Sequence, residues 1–184
     1  ELDALLERMA DSSHKLAPHL HISAQSLSDN VLSAMRRKYT AAEFLDTLEK
    51  IFAVSERIAV GTDIICGHPH ETEADYLLTK KRLLESSMAY AHVFTFSPRP
   101  KTLAAVMDGQ VPVEVRKARA SDLRKSAEEL RRRFFEKNRG TVRPILLEGR
   151  LPNGDYPAYT DNYIQVFYRA DRDGLKNTLV NYTL

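Results

Sequence analysis

Covalent cross-linking is nearly absent from the resources of this 184-residue chain, whose one cysteine, Cys66, excludes an internal disulfide. Such cysteine usage fits a reducing compartment. No apolar run approaches the roughly 18 residues of a membrane span, and no signal-peptide pattern opens the chain. A cytoplasmic location and no membrane partner are therefore expected. Net charge is small as well, because 27 Lys and Arg stand against 25 Asp and Glu for a total of +2. Its distribution is uneven: residues 113–139 hold ten Lys or Arg against five Asp or Glu. A basic surface for a polyanionic partner would begin there.

What is present is a soluble globular composition, 43% hydrophobic, long enough for one domain or for a shortened domain with a small module. The first residues already read as helix and no Met precedes them, so a segment of something longer is expected. In ELDALLERMA the apolar Leu2, Leu5, Leu6 and Met9 share one helix face. A β-prone run follows at 19–26, and Ser28-Asp29 predicts a capped helix from about Asn30 to Arg37. Thr40 with Glu43 makes a capping box for a helix buried through Phe44, Leu45, Leu48, Ile51 and Phe52. The strand RIAVGTDIIC (57–66) leads to a helix capped by Thr72 and Asp75, and then to the strand YAHVFTF (90–96). Near-continuously apolar strands separated by helices predict a parallel sheet with covered faces, hence an α/β class.

In such units ligands lie beyond the carboxyl ends of the strands. Three loops then converge, AQSLSDN (24–30), GHPHET (67–72) and SPRPKT (97–102). Glu71-Thr72 opens a helix whose amides suit a negative group, and Gly67 permits close approach of the backbone to a ligand or a sharp turn. A plain turn followed by a plain helix start accounts for the same residues. His19, His21, His68 and His70 would make a metal site only if they converged; strand starts and loop ends lie at opposite ends of a barrel, and no metal is expected.

Beyond Thr102 the segment 112–140 starts with Pro and stops with Gly, predicting one long helix. Leu123, Ala127, Leu130 and Phe134 form its packed stripe, with Lys117, Arg124 and Arg131 at intervals of seven beside it, either as a binding face or as solvated charges. The runs 142–150, 159–169 and 177–184, with a turn at PNGD (152–155), alternate apolar and polar residues and predict a small all-β module. Its tyrosines 156, 159, 163, 168 and 182, near Arg143, Arg150 and Arg169, suit stacking on unpaired bases. Half-buried rings of a small barrel have the same signature.

Six blocks in order, PHLHISAQSLSD, RRKYTAAEF, TDIICGHPHETEADY, HVFTFSPRPKTLAA, the QVP opening of the basic helix and YTDNYIQV, resemble the back half of a radical-SAM tRNA methylthiotransferase. The nearest pattern is the subfamily acting on N6-threonylcarbamoyladenosine beside the anticodon. This resemblance implies a partial (β/α) barrel of radical-SAM type over 1–112, a basic linking helix over 113–140, and a TRAM-like β-barrel that binds RNA over 141–184. It implies S-adenosylmethionine and two 4Fe-4S clusters in the complete enzyme, and addition of a methylthio group at adenosine C2. The tRNA anticodon stem-loop and the missing N-terminal domains of the same enzyme are the implied partners. Carried over residue by residue, Gln25, Ser26 and Ser28 match the fourth-strand block with Asp29. Gly67, Glu71 and Thr72 match the fifth-strand block with Pro69, near the adenine of the cofactor. Ser97 and Arg99 match the sixth with Thr102. Tyr159, Asn162 and Tyr163, with Thr160, match the TRAM block, and Arg124, Arg131 and Arg143 join them as RNA-binding candidates.

The chain departs from that pattern at Leu27, His70, Lys101 and Ala158, which stand where it has glycine, and at His68, which stands where it has phenylalanine. A side chain at a position of positive φ costs on the order of 1 kcal/mol or more. A cluster needs several thiolates, so this chain is expected to retain neither cluster nor cofactor alone and to have no catalytic residue of its own. Two functional readings follow: part of a tRNA methylthiotransferase inactive without its upstream cysteines, or a non-catalytic RNA-binding or structural fragment. A third is a scaffold that self-associates through open sheet edges.

Overall fold

A computed structural model describes residues 2–11 and 13–184. They form two compact units. One comprises the described residues of Glu1–Leu20 with Val54–Ala59 and Phe135–Leu184; the other comprises His21–Ala53 and Val60–Phe134.

The second unit is built on a sheet of order β1-β2-β3, with β1 at His19–His21, β2 at Ala59–Cys66 and β3 at Tyr90–Thr95, of which His19, Leu20 and Ala59 at the strand starts count with the first unit. β2 and β3 pair in parallel from Gly61↔Tyr90 to Cys66↔Thr95. Beyond β1 the chain stays beside β2, with Ile22 N–H donating to Gly61 O at 2.9 Å and a parallel bridge between Gln25 and Ile64. The expected run over 19–26 is thus a short strand and a bridge, because Gln25 adopts a left-handed φ of 63° that ends regular pairing.

Helix α2, Asp29–Ala34, stops short of the expected Arg37, since Arg36 takes a φ of 57°. Ser28 occupies its N-cap position without a capping bond from the side chain. Its hydroxyl donates instead to Asp75 Oδ1 at 2.6 Å. The carboxylate of Asp29 accepts from the Ala41 N–H at 2.7 Å, across a separation of twelve residues, and so helps to cap the next helix. That helix, α3, runs Ala41–Val54 and buries Phe44, Leu48 and Ile51. The capping box at its start is formed: Thr40 N–H donates to Glu43 Oε2 at 2.8 Å and Glu43 N–H donates to Thr40 Oγ1 at 3.2 Å. Helix α4, Glu73–Glu85, begins with the full Thr72/Asp75 box. A short helix α5, Leu103–Val106, follows the third loop and was not foreseen from the sequence.

The long basic helix is α6, Val113–Asn138. Its buried positions include Arg116, Arg119, Ala120, Leu123, Ser126, Ala127 and Leu130, a stripe at intervals of three and four. Two of the residues that entered the charge count as basic surface are therefore interior.

The first unit contains α1, Leu2–Ala10, which buries Leu6 and Met9 while Leu2 and Leu5 remain exposed. It also contains an antiparallel sheet of order β6-β5-β4-β7: β4 Val142–Leu147, β5 Asp155–Thr160, β6 Gln165–Arg169 and β7 Leu179–Thr183. The alternation expected over 142–150 is seen on β4, where Arg143, Ile145 and Leu147 are buried; β5, with Tyr156, Ala158 and Thr160 buried, lies mostly outside the expected runs. The run 159–169 is not continuous, however. It contains a tight turn closed by Tyr163 N–H to Thr160 O at 3.0 Å and Thr160 N–H to Ile164 O at 2.9 Å.

Candidate functional site

Beyond the carboxyl end of the parallel strands, Gln25, Met35, Arg36, Arg37, Ile65 and His68 line an open concavity of about 400 Å³. That size is within the range of small-molecule sites, roughly 300–1,000 Å³. Gln25 is held from both sides: its N–H donates to Asp63 O and its carbonyl accepts from Ile65 N–H, each at 2.8 Å. His68 follows the turn at Gly67 and packs edge-on against Phe96, ring centroids 5.3 Å apart. Its Nδ1 lies 3.0 Å from the Pro69 carbonyl, and burial pulls its imidazole below the ordinary histidine range. Arg36 and Arg37 are exposed beyond the end of α2. The sequence reading had Gln25 for this site but missed Arg36, Arg37 and His68; the RRKYT run was the signal, as two adjacent cations following a helix end.

The other expected cofactor residues are placed differently. Ser26 is buried, its hydroxyl 3.3 Å from Thr79 Oγ1, and Ser28 is spent on Asp75. The Gly67 N–H is shared by both carboxylate oxygens of Glu71 at 3.0 Å. Arg119 from α6 closes on the same carboxylate at 2.9 Å and on Glu73 at 2.8 Å, with its guanidinium 5.4 Å from the Tyr76 ring centroid. Burial pushes the Glu71 carboxyl up, against the pull of Gly67 N–H and Arg119. Glu71 and Thr72 thus fasten the loop. Ser97 and Arg99 lie on an exposed loop, where the Arg99 carbonyl accepts from Thr102 Oγ1 at 2.8 Å.

Substitutions at the glycine positions fall into two kinds. His70 and Lys101 each hold a φ of 67°. Leu27 and Ala158 have no positive φ and are fully buried core residues. The backbone is left-handed at the first pair and not at the second.

Cys66 is buried, and burial with the neighbouring Glu71 pushes its thiol up to about 12. The histidines take separate roles: His21 Nε2 pairs with Asp63 at 3.1 Å and stacks on His92 at 5.7 Å. Among the described residues no group of three or more His, Cys, Asp or Glu is arranged to hold a metal. A single thiol of this kind does not fit an iron–sulfur cluster.

In the first unit, Tyr163 is half-exposed at a φ of 70° and stacks on Tyr159 at 5.0 Å and on His19 at 4.4 Å. Asn162 is buried and bonded to Asn138 and Thr160. Arg143 is buried in an ion pair with Asp161 at 2.7 Å, which Arg57 also approaches at 3.6 Å. On α6, Arg131 is exposed, and Arg124 reaches the Val93 carbonyl at 3.2 Å.

Residues 1–83 match the model of the radical SAM superfamily. The chain is 36% identical over 160 residues to the threonylcarbamoyladenosine tRNA methylthiotransferase MtaB of Thermotoga maritima, covering 87% of this chain and 37% of that protein. It is 34% identical over 178 residues to the protein of the same name from Aquifex aeolicus, covering 96% and 41%. To the tRNA-2-methylthio-N(6)-dimethylallyladenosine synthase of Akkermansia muciniphila it is 43% identical over 135 residues, covering 73% and 30%. The chain spans well under half the length of these curated relatives, and what it shares with them is a radical-SAM match over its first 83 residues and similarity to part of two kinds of tRNA methylthiotransferase.

Proposed function

We propose that this chain is a portion of a radical-SAM tRNA methylthiotransferase, with the later strands of the cofactor barrel over 1–112, the linking helix over 113–140 and a TRAM-like RNA-binding module over 141–184. The complete protein would add a methylthio group to C2 of N6-threonylcarbamoyladenosine at position 37 of tRNA, in the cytoplasm. S-adenosylmethionine and cysteine-held iron–sulfur clusters supply the radical and sulfur chemistry in that enzyme. With one buried thiol, this chain is inactive alone, and its own residues bind and orient. The observation that carries this reading is the concavity at the strand ends, where Gln25 and His68 meet two cations, Arg36 and Arg37, whose guanidiniums have no hydrogen-bond or ion-pair partner among the described residues. Unpaired guanidiniums suit a carboxylate, which S-adenosylmethionine carries together with an adenine. Tyr159 and Tyr163, with Arg124 and Arg131, would meet the anticodon stem-loop, while Arg143 and Asn162 support the turn that presents the tyrosines.

Calorimetric titration with S-adenosylhomocysteine, a stable cofactor analogue, tests the reading. Against the expectation that the chain alone retains no cofactor, the concavity predicts weak binding, reduced about tenfold in an Arg36→Ala, Arg37→Ala double variant by loss of charge-assisted hydrogen bonds. No binding to the unaltered chain at millimolar analogue would sink the cofactor reading of the concavity and leave the family reading standing. The second reading, a non-catalytic RNA-binding or structural fragment, is favoured by the same lone buried cysteine.

A further inference from the structure

An antiparallel sheet with one face on a core meets water with the other, and that outer face normally carries polar side chains. The four-stranded sheet of the first unit departs from this rule. The first, third and fifth residues of each of its strands are the more exposed ones and share the outward face. Of these positions only Asp155 and Arg169 are charged. Val142, Leu146, Phe167 and Leu179 are instead 65%, 46%, 56% and 68% exposed. The register gathers them into one patch: Leu146 stands between Leu179 and Tyr159, and Phe167 stands beside Pro157. Pro144, opposite Asn181, extends the patch toward Val142. Asp155 and Arg169 are cross-strand neighbours at one corner and pair with each other at 3.5 Å. Glu148 follows just past the end of β4. An apolar centre with its charges at the rim has the composition of an interface.

We propose that two copies of this chain associate through the outward face of this sheet, packed face to face about a two-fold axis. The contact differs from pairing of the open sheet edges, which belong to β6 and β7. A polyanion does not fit the face, because Arg169, the one cation among its strand positions, already faces Asp155. A second copy fits it, since it offers the same uncharged surface and a two-fold contact then buries no unpaired charge. Two antiparallel sheets packed about 10 Å apart are the ordinary core of a β-sandwich. Covering the apolar positions removes on the order of 600 Å² per copy, about 1,200 Å² in total, at the lower limit of specific interfaces. The dimer is therefore weak, with a dissociation constant of about 10–500 µM. The inference uses the sheet alone and does not depend on the family reading.

Sedimentation equilibrium on the full chain, from about 5 µM to about 1 mM, tests the proposal. A monomer–dimer equilibrium is expected, little changed between about 0.05 and 0.5 M salt because the contact is apolar. Leu146→Glu should weaken it at least about tenfold by burying a charge on each side, whereas Leu146→Met should keep it. Phe167→Thr, which retains a strand-forming side chain, should weaken it independently. Thermal midpoints of these variants should match that of the unaltered chain, since both positions lie on the exposed side of the sheet. On dilution, amide NMR signals that move should belong to the outward positions of β4, β5, β6 and β7. Leu146 sits on a central strand, so its variant leaves both edges intact. Association that persists in Leu146→Glu, or that salt abolishes, overturns the proposal. A chain that stays monomeric to about 1 mM also overturns it. If Leu146→Glu then weakens binding of an RNA stem-loop, the face belongs to unpaired bases instead.

Discussion

At the scale of single residues, left-handed backbone is the most demanding local requirement in the chain. Lys101 sits at a φ of 67° on an exposed loop, where an L side chain costs about 1–2 kcal/mol. Replacing it by glycine removes that cost and adds the smaller entropic penalty of glycine, so Lys101→Gly should stabilise the fold by about 0.5–1 kcal/mol. A rise in the urea midpoint at unchanged slope checks this. The opposite holds at Gly67, where φ is 81° and a Cβ would lie 2.4 Å from Arg116 Cγ. Arg116 cannot withdraw freely, because its Nε donates to the Val111 carbonyl at 2.6 Å and its guanidinium lies 5.3 Å from the Phe96 centroid. Gly67→Ala should lower stability by about 2 kcal/mol or more, read by the same unfolding curve. His70 is a less clean site for glycine, because its ring packs where a Cβ on Gly109 would stand, 2.5 Å from Nδ1.

Between elements, one carboxylate organises the start of two helices. Asp75 takes hydrogen bonds from Ser28 Oγ and Asn30 Nδ2 near α2 and from Thr72 N–H and Oγ1 at the start of α4. Burial pushes its carboxyl up, but these four donors outweigh burial and hold it below the ordinary range. A lowered carboxyl pKa adds stability above the unfolded value, near 3.9, and that stability is lost as pH falls through the folded value. Asp75→Asn should therefore cost about 1–3 kcal/mol at pH 6. The gap between the two proteins should shrink as pH falls below about 4, and unfolding measured from pH 7 down to pH 2.5 reads it. A gap constant over that range would show that geometry alone, not charge, ties the two helices.

Over the whole molecule, the question is where the uneven charge is used. Of the basic residues of α6, Arg116 and Arg119 are interior and bind carbonyls and carboxylates, whereas Arg131 and Lys117 are exposed. The exposed part of the charge is therefore smaller than the sequence count. With the anticodon stem-loop, binding should weaken linearly in log K against log salt, and Arg131→Glu should flatten the slope by about 0.7–0.9, the share of one phosphate contact. Tyr163→Ala should weaken binding by about 1–3 kcal/mol at every salt concentration, through lost stacking, and leave the slope unchanged. An unchanged slope in Arg131→Glu would take this face out of the RNA contact. No helix among the described residues is long and apolar enough to cross a membrane.

The sequence by itself determined the features whose partners lie within a turn or two along the chain. Thr40 with Glu43 and Thr72 with Asp75 form the boxes that their spacing predicts, since three residues bring an N-cap and its partner together in any helix. Alternation along β4, and the stripe Leu123, Ala127 and Leu130 on α6, follow likewise from periods of two and about 3.6, although Phe134, expected in the same stripe, is only half-buried. Tertiary structure alone decided the use of side chains whose partners lie far along the chain. Ser28 leaves its own helix for Asp75, 47 residues on. Arg119 leaves the basic face for Glu71, 48 residues back. Arg143, expected at a surface, is buried against Asp161, 18 residues on. The concavity joins Gln25 and the two arginines after α2 to His68 after β2, residues that no local period relates. A hydrogen bond or ion pair between distant residues depends on which strands neighbour each other and on where each helix stops, and both are set by the packing of the core.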